Sequence, residues 1–77
     1  MPHIHLKLYA TLQMFTPPEG EEEYPIAPGT TIRGLLKKLN VPEEKAKLLF
    51  INGAQAALSS TLQGGERVGI FPPVGGG

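Results

Sequence analysis

Residues 29–42, GTTIRGLLKKLNVP, place Ile32, Leu35, Leu36 and Leu39 at i, i+3, i+4 and i+7, so that four apolar side chains share one face of a short α-helix. Thr31 or Thr30 is expected as the N-cap, Lys37 and Lys38 sit where the helix dipole favours cations, and Asn40 with Val41-Pro42 ends the segment. Gly34 in the interior costs about 1 kcal/mol relative to Ala. Either packing needs a bare backbone there or the helix is locally weak. On both sides of this segment the apolar period falls from 3.6 to two, and the chain must bury one helical stripe against strands.

In residues 4–10, Ile4, Leu6, Leu8 and Ala10 share one face and His5, Lys7 and Tyr9 the other, the pattern of a half-buried strand. "FTPPEGEE" (residues 15–22) is a turn, and a short second strand is expected over residues 22–27. Pro25 forfeits a ladder donor, so that strand belongs at a sheet edge. "PEEKA" adds a helical turn opened by Pro42, and "LLFING" (residues 48–53) is an apolar strand turned by Asn52-Gly53, with "AQAAL" as a short return. The last strand, residues 66–71, follows the Gly64-Gly65 turn and points Val68 and Ile70 one way, Arg67, Gly69 and Phe71 the other. Gly64-Gly65 is not a phosphate cradle, because no helix or lysine in the Walker position follows it.

The order strand, strand, helix, strand, short strand, strand is satisfied by one helix covering one face of a mixed sheet of four to five strands. This is the α+β, ubiquitin-like β-grasp architecture. The domain is expected to span residues 1–73, with residues 74–77 a flexible glycine-rich tail. When the first and last strands lie side by side at the centre, Tyr9 and Phe71 project from the uncovered face and Phe50 joins them, a candidate partner-binding surface.

With 77 residues and no cysteine, the chain has neither a disulfide framework nor a thiolate metal site, and sulfur chemistry would need sulfur from outside. Seven Lys plus Arg balance seven Glu, so no basic footprint points to nucleic acid or an anionic membrane. Apolar runs fall far short of the roughly 20 residues that cross a bilayer, and "MPHIHLK" has no signal-peptide pattern. The expected location is cytoplasmic. His3 and His5, two residues apart on one strand face, read as surface histidines, since two ligands do not close a zinc site. No metal is expected. "GEEE" (residues 20–23) reads as the solvated start of a strand.

"LFING" followed by "TLQGGERVGIFPPVGGG" resembles the MoaD/ThiS family of sulfur carrier proteins: Asn52-Gly53, Leu62, Gly65-Glu66, the strand Val68 to Phe71, and a final Gly76-Gly77. "KLYATLQ" and "GTTIRGLLKKL" are also similar to that family's first strand and helix. "FPPV" is more like the molybdopterin carriers than the thiamine carriers. Gly75 stands where the molybdopterin carriers usually have Ser, Thr or another small residue, and Glu66 replaces the commoner Asp. The resemblance implies that a ubiquitin-activating-type enzyme adenylates the Gly77 carboxylate with ATP. A persulfide source then supplies the sulfur of a thiocarboxylate used in molybdopterin formation, with a larger synthase subunit as partner. No cofactor is expected on the chain itself, and no stand-alone enzymatic activity. Thiamine, tungsten-cofactor or tRNA-thiolation pathways remain alternatives, as does a ubiquitin-like modifier joined to lysines through an isopeptide bond. A third alternative is an adaptor that binds through Tyr9, Phe50 and Phe71 without tail chemistry.

The tail's residue types suit that chemistry. An α-carboxyl has a pKa of about 3.5 and is an anion ready to attack phosphorus at neutral pH. Gly75, Gly76 and Gly77 add no side chain that would clash in a narrow channel, while Pro72 and Pro73 favour an extended exit from the strand. From Val74 onward the extended tail reaches about 13 Å.

Overall fold

The structure, a computed structural model, describes residues 2–17 and 23–73. Strand β1, His3–Leu8, buries Ile4, Leu6 and Leu8 and exposes His3, His5 and Lys7, as its alternation requires. It lies beside β7, Arg67–Phe71, in parallel register, with Leu6 opposite Val68 and Leu8 opposite Ile70. On the far side of β7, strand β4, Leu48–Ile51, runs antiparallel with Leu49 opposite Ile70. The short strands β2, Tyr24–Pro25, and β5, Ala54–Gln55, form the edges, giving the order β2-β1-β7-β4-β5. Pro25 is on an edge, where its missing N–H does no harm.

One face of this sheet is covered by α1, Ile32–Leu39, whose Ile32, Leu35, Leu36 and Leu39 are buried. Thr31 is the N-cap, its Oγ1 accepting from the Gly34 N–H at 3.0 Å. The Ile32 and Arg33 N–H groups donate to the carbonyls of Ser60 and Leu58, so three of the first turn's unpaired donors find partners. Asn40 closes the helix in the left-handed conformation, and the Val41 N–H donates back to the Leu36 carbonyl. A Cβ added at Gly34 would meet nothing closer than Thr31 Oγ1 at 3.4 Å, an ordinary contact. Packing therefore does not demand the glycine, and the helix is weaker for it. Glu43–Lys45 form a 3-10 turn after Pro42. Ile4, Leu8, Ile26, Leu36, Leu62 and Ile70 are among the fully buried residues of a single core.

Three expectations need correction. The first strand ends at Leu8: Ala10 is exposed, with a positive φ of 53°, and opens a 3-10 helix, Ala10–Phe15. Tyr9 still donates its N–H to the Ile70 carbonyl, and the chain then folds under the sheet so that Leu12 enters the core. Burial of Leu12 offsets the left-handed strain at Ala10, of order 1–2 kcal/mol. The second strand covers Tyr24–Pro25 and not the longer span expected, whose first residue, Glu22, lies outside the described residues. The return after Asn52-Gly53 pairs only over Ala54–Gln55. In addition, β3, Thr30–Thr31, and β6, Thr61–Leu62, form an antiparallel ribbon apart from the main sheet. It carries the chain into α1.

Candidate functional site

The face of the sheet that α1 leaves open is built by the outward positions of β1, β7 and β4. Tyr9 and Phe71 stack face to face, with centroids 4.1 Å apart and planes 3° from parallel. Phe50 meets Phe71 edge-on at 5.6 Å and 83°. The structure thus brings together all three aromatic residues expected there. Both geometries are favourable for ring quadrupoles. Gly69 lies between them: a Cβ there would stand 3.4 Å from the Tyr9 ring, so the bare backbone deepens the surface.

The result is an open groove of about 570 Å³, with Tyr9, Phe50 and Phe71 along it and His5, Lys7 and Arg67 among its lining residues. Arg67 is held from its backbone. Its N–H donates to Asn52 Oδ1 at 2.9 Å, and its carbonyl accepts from the Asn52 N–H at 2.7 Å. Asn52 and Gly53, with φ of 52° and 83°, form the two-residue turn that makes this clamp possible.

The other turn beside β7 is organised by Glu66. Its carboxylate accepts from the N–H groups of Gln63 and Gly64, each at 2.8 Å. A Cβ at Gly64 would fall 2.6 Å from Pro2 Cβ, and φ there is +123°, so glycine is required on both counts. Partial burial pushes the Glu66 carboxyl up, but the N–H groups of Gln63, Gly64 and Glu66 itself outweigh burial and hold it below the ordinary glutamate range. This stabilisation is fully present above the unfolded value of about 4.3. It is lost as pH falls through the lower folded value. In urea unfolding, Glu66→Gln is expected to be less stable than the parent by a constant margin from about pH 7 to pH 5 and by a shrinking one below about pH 4. A margin that stays constant down to pH 3 would show that the carboxylate charge is not what holds the turn.

At the other end of β7, the Phe71 carbonyl accepts from the Lys47 N–H at 2.9 Å. Pro72 and Pro73 have no N–H to continue the ladder, and pairing stops at Phe71. Val74, Gly75, Gly76 and Gly77, the expected reactive tail, lie outside the described residues. Among the described residues no group of three His, Asp or Glu side chains is placed to hold a metal ion; His3 and His5 are exposed on β1. No helix among them is long and apolar enough to cross a membrane.

Sequence reasoning missed the role of Gly69 and the grouping of His5, Lys7 and Arg67. The signal was present in two separate alternations, one for each strand, that only the parallel pairing of β1 and β7 joins.

Comparison with known proteins agrees with this architecture. No curated protein matches the chain. Among solved structures, SAMP1 from Haloferax volcanii is similar in fold, with a TM-score of 0.66 and 20% identity over 96% of this chain and 98% of that one. The ThiS family model matches residues 6–77, from the middle of β1 through the glycines. A ubiquitin-like β-grasp domain is matched over nearly its whole length by that model, and the chain belongs to the ThiS family.

Proposed function

We propose that this protein is a sulfur carrier whose Gly77 carboxylate is converted to a thiocarboxylate for molybdopterin formation. The supporting observation is the family match running through the final glycines, on a domain whose last strand, central in the sheet, is followed directly by Pro72-Pro73. In the proposed sequence, a carboxylate oxygen of Gly77 attacks the α-phosphorus of ATP on an activating enzyme and pyrophosphate leaves. The terminal sulfur of a protein persulfide then attacks the acyl carbon and AMP departs. A second thiol reduces the resulting S–S bond and releases the thiocarboxylate. The carrier contributes no acid or base to these steps, only an unhindered carboxyl at the end of a thin tail. "FPPV" before the glycines favours the molybdopterin pathway over thiamine synthesis, and a larger synthase subunit is the proposed acceptor's host.

The test is intact-mass measurement after incubation with an activating enzyme, ATP and a persulfide donor. Exchange of oxygen for sulfur at the C-terminus is expected to add about 16 Da. No gain, under conditions that modify a control carrier, rejects the reading. Gly-Gly remnants on lysines of other proteins would instead identify a modifier.

A further inference from the structure

The Asn52-Gly53 turn carries a chemistry that its hairpin role does not use. An asparagine followed by glycine is the dipeptide most open to deamidation, because the glycine nitrogen has no Cβ beside it and reaches the asparagine side chain readily. Here both residues are exposed, and nothing stands within 4 Å of where a Cβ on Gly53 would lie. Among the described residues the Gly53 N–H donates no hydrogen bond. The nucleophile is therefore unhindered. The electrophile is held. Asn52 Oδ1 accepts from the Arg67 N–H at 2.9 Å, and the Asn52 N–H donates to the Arg67 carbonyl at 2.7 Å, so side chain and backbone are both tied to β7. Pairing of Ile51 with Ala54 on one side and with Val68 on the other fixes the strand that enters the turn. Asn40, the chain's other asparagine, is followed by the buried, β-branched Val41, whose N–H donates to the Leu36 carbonyl.

We propose that Asn52 is a deamidation site held closed by its bonds to Arg67, and that isoaspartate formed there breaks the register of the β4–β5 turn. In the reaction the lone pair of the Gly53 nitrogen forms a bond to Asn52 Cγ and the nitrogen's proton passes to solvent. The Cγ–Nδ2 bond breaks and ammonia leaves. Water then opens the cyclic imide at either carbonyl, giving aspartate or isoaspartate at position 52. Ring closure needs the side-chain amide turned onto the Gly53 nitrogen, whereas the bond to Arg67 commits its oxygen to the neighbouring strand. Opening of this clamp is the step that sets the rate. In the aspartate product a carboxylate oxygen still accepts from the Arg67 N–H. Isoaspartate instead carries the chain through the former side chain, which adds a methylene to the backbone of a two-residue turn and displaces the pairing of Ile51 with Ala54. The assignment does not depend on the carrier reading.

In the experiment the full chain, folded in mildly alkaline buffer, is incubated beside the same chain in concentrated urea and a synthetic peptide of residues 47–57 in both solvents. Deamidation is read by the mass of the proteolytic fragment that contains Asn52, and isoaspartate by its labelling with an isoaspartate carboxyl methyltransferase. The folded chain is expected to react at least about tenfold more slowly than the peptide in the same buffer, and the unfolded chain at the peptide's rate in urea. Asn40 is expected to stay unmodified in both states. Equal rates for the folded chain and the peptide would overturn the closed clamp. An unmodified Asn52 in urea, or an Asn40 that reacts there as fast, would overturn the site itself. After transfer back to buffer, chain carrying isoaspartate is expected to unfold at a lower urea concentration than the parent, while Asn52→Asp unfolds near the parent's midpoint at neutral pH. Isoaspartate chain as stable as the parent would overturn the loss of register. No activating enzyme, ATP or sulfur donor enters these measurements, so their failure leaves the sulfur-carrier reading standing, and absence of the sulfur mass gain leaves this one standing.

Discussion

Protein lacking Gly76 and Gly77 is expected to acquire no sulfur, showing none of the roughly 16 Da gain, while unfolding at the same urea concentration as the full chain. Among the described residues every member of the core lies between Ile4 and Ile70, and the truncation touches none of these. The shortened chain still ends in a carboxylate, on Gly75. What it loses is reach, about 7 Å at 3.3 Å per residue, and the slimness of the last two positions. The prediction thus separates a requirement for any carboxyl from a requirement for one delivered at a distance from the sheet. Intact-mass measurement of both proteins, reacted side by side, decides it. Sulfur on the truncated chain would show that delivery by the tail is not how the carboxyl is reached, and the proposed function would lose its physical basis.

The largest effect on stability is expected from Ile70→Ala. Ile70 is fully buried on the central strand, between Leu8 of β1 and Leu49 of β4, with the helix over it. Truncation to Ala removes three carbons from a site walled by neighbours on two strands and a helix, where collapse is restricted, and costs about 2–5 kcal/mol. At 0.05–0.15 kcal/mol per residue a domain of this size has only about 4–12 kcal/mol in total. A lowering of the thermal midpoint by about ten degrees or more is the expected readout, since each kcal/mol moves a small domain by about 4–8 °C. A loss below about 1 kcal/mol would mean that the core repacks around the gap. Function should fall with it, because the same five-residue strand carries Arg67, Gly69 and Phe71 on its other face and ends at the two prolines that precede the expected tail.

Local features of this chain were legible because they follow from the sterics of neighbouring residues. The helix appears with its Thr31 cap and its Asn40 terminus, and the Asn52-Gly53 turn sets the β4–β5 register. Features that failed to show depend on distant partners. Nothing in "YATLQMF" signals that Ala10 takes a positive φ, because what holds it there is the Tyr9 bond to Ile70 and the burial of Leu12. The ribbon of Thr30–Thr31 with Thr61–Leu62 likewise joins two segments too short to be recognised alone.

The same division holds for the candidate site. Alternation along the chain determined which side chains leave the covered face, the loss of donors at Pro72-Pro73 determined where β7 stops pairing, and the family resemblance pointed to the terminal glycines. Only the tertiary structure decided that Tyr9 stacks on Phe71, that Phe50 meets it edge-on over Gly69, and that Arg67 is clamped at the basic part of the same groove. Periodicity is written within a few consecutive residues. A distance across strands is set by register, and register is chosen by the summed burial of the whole core.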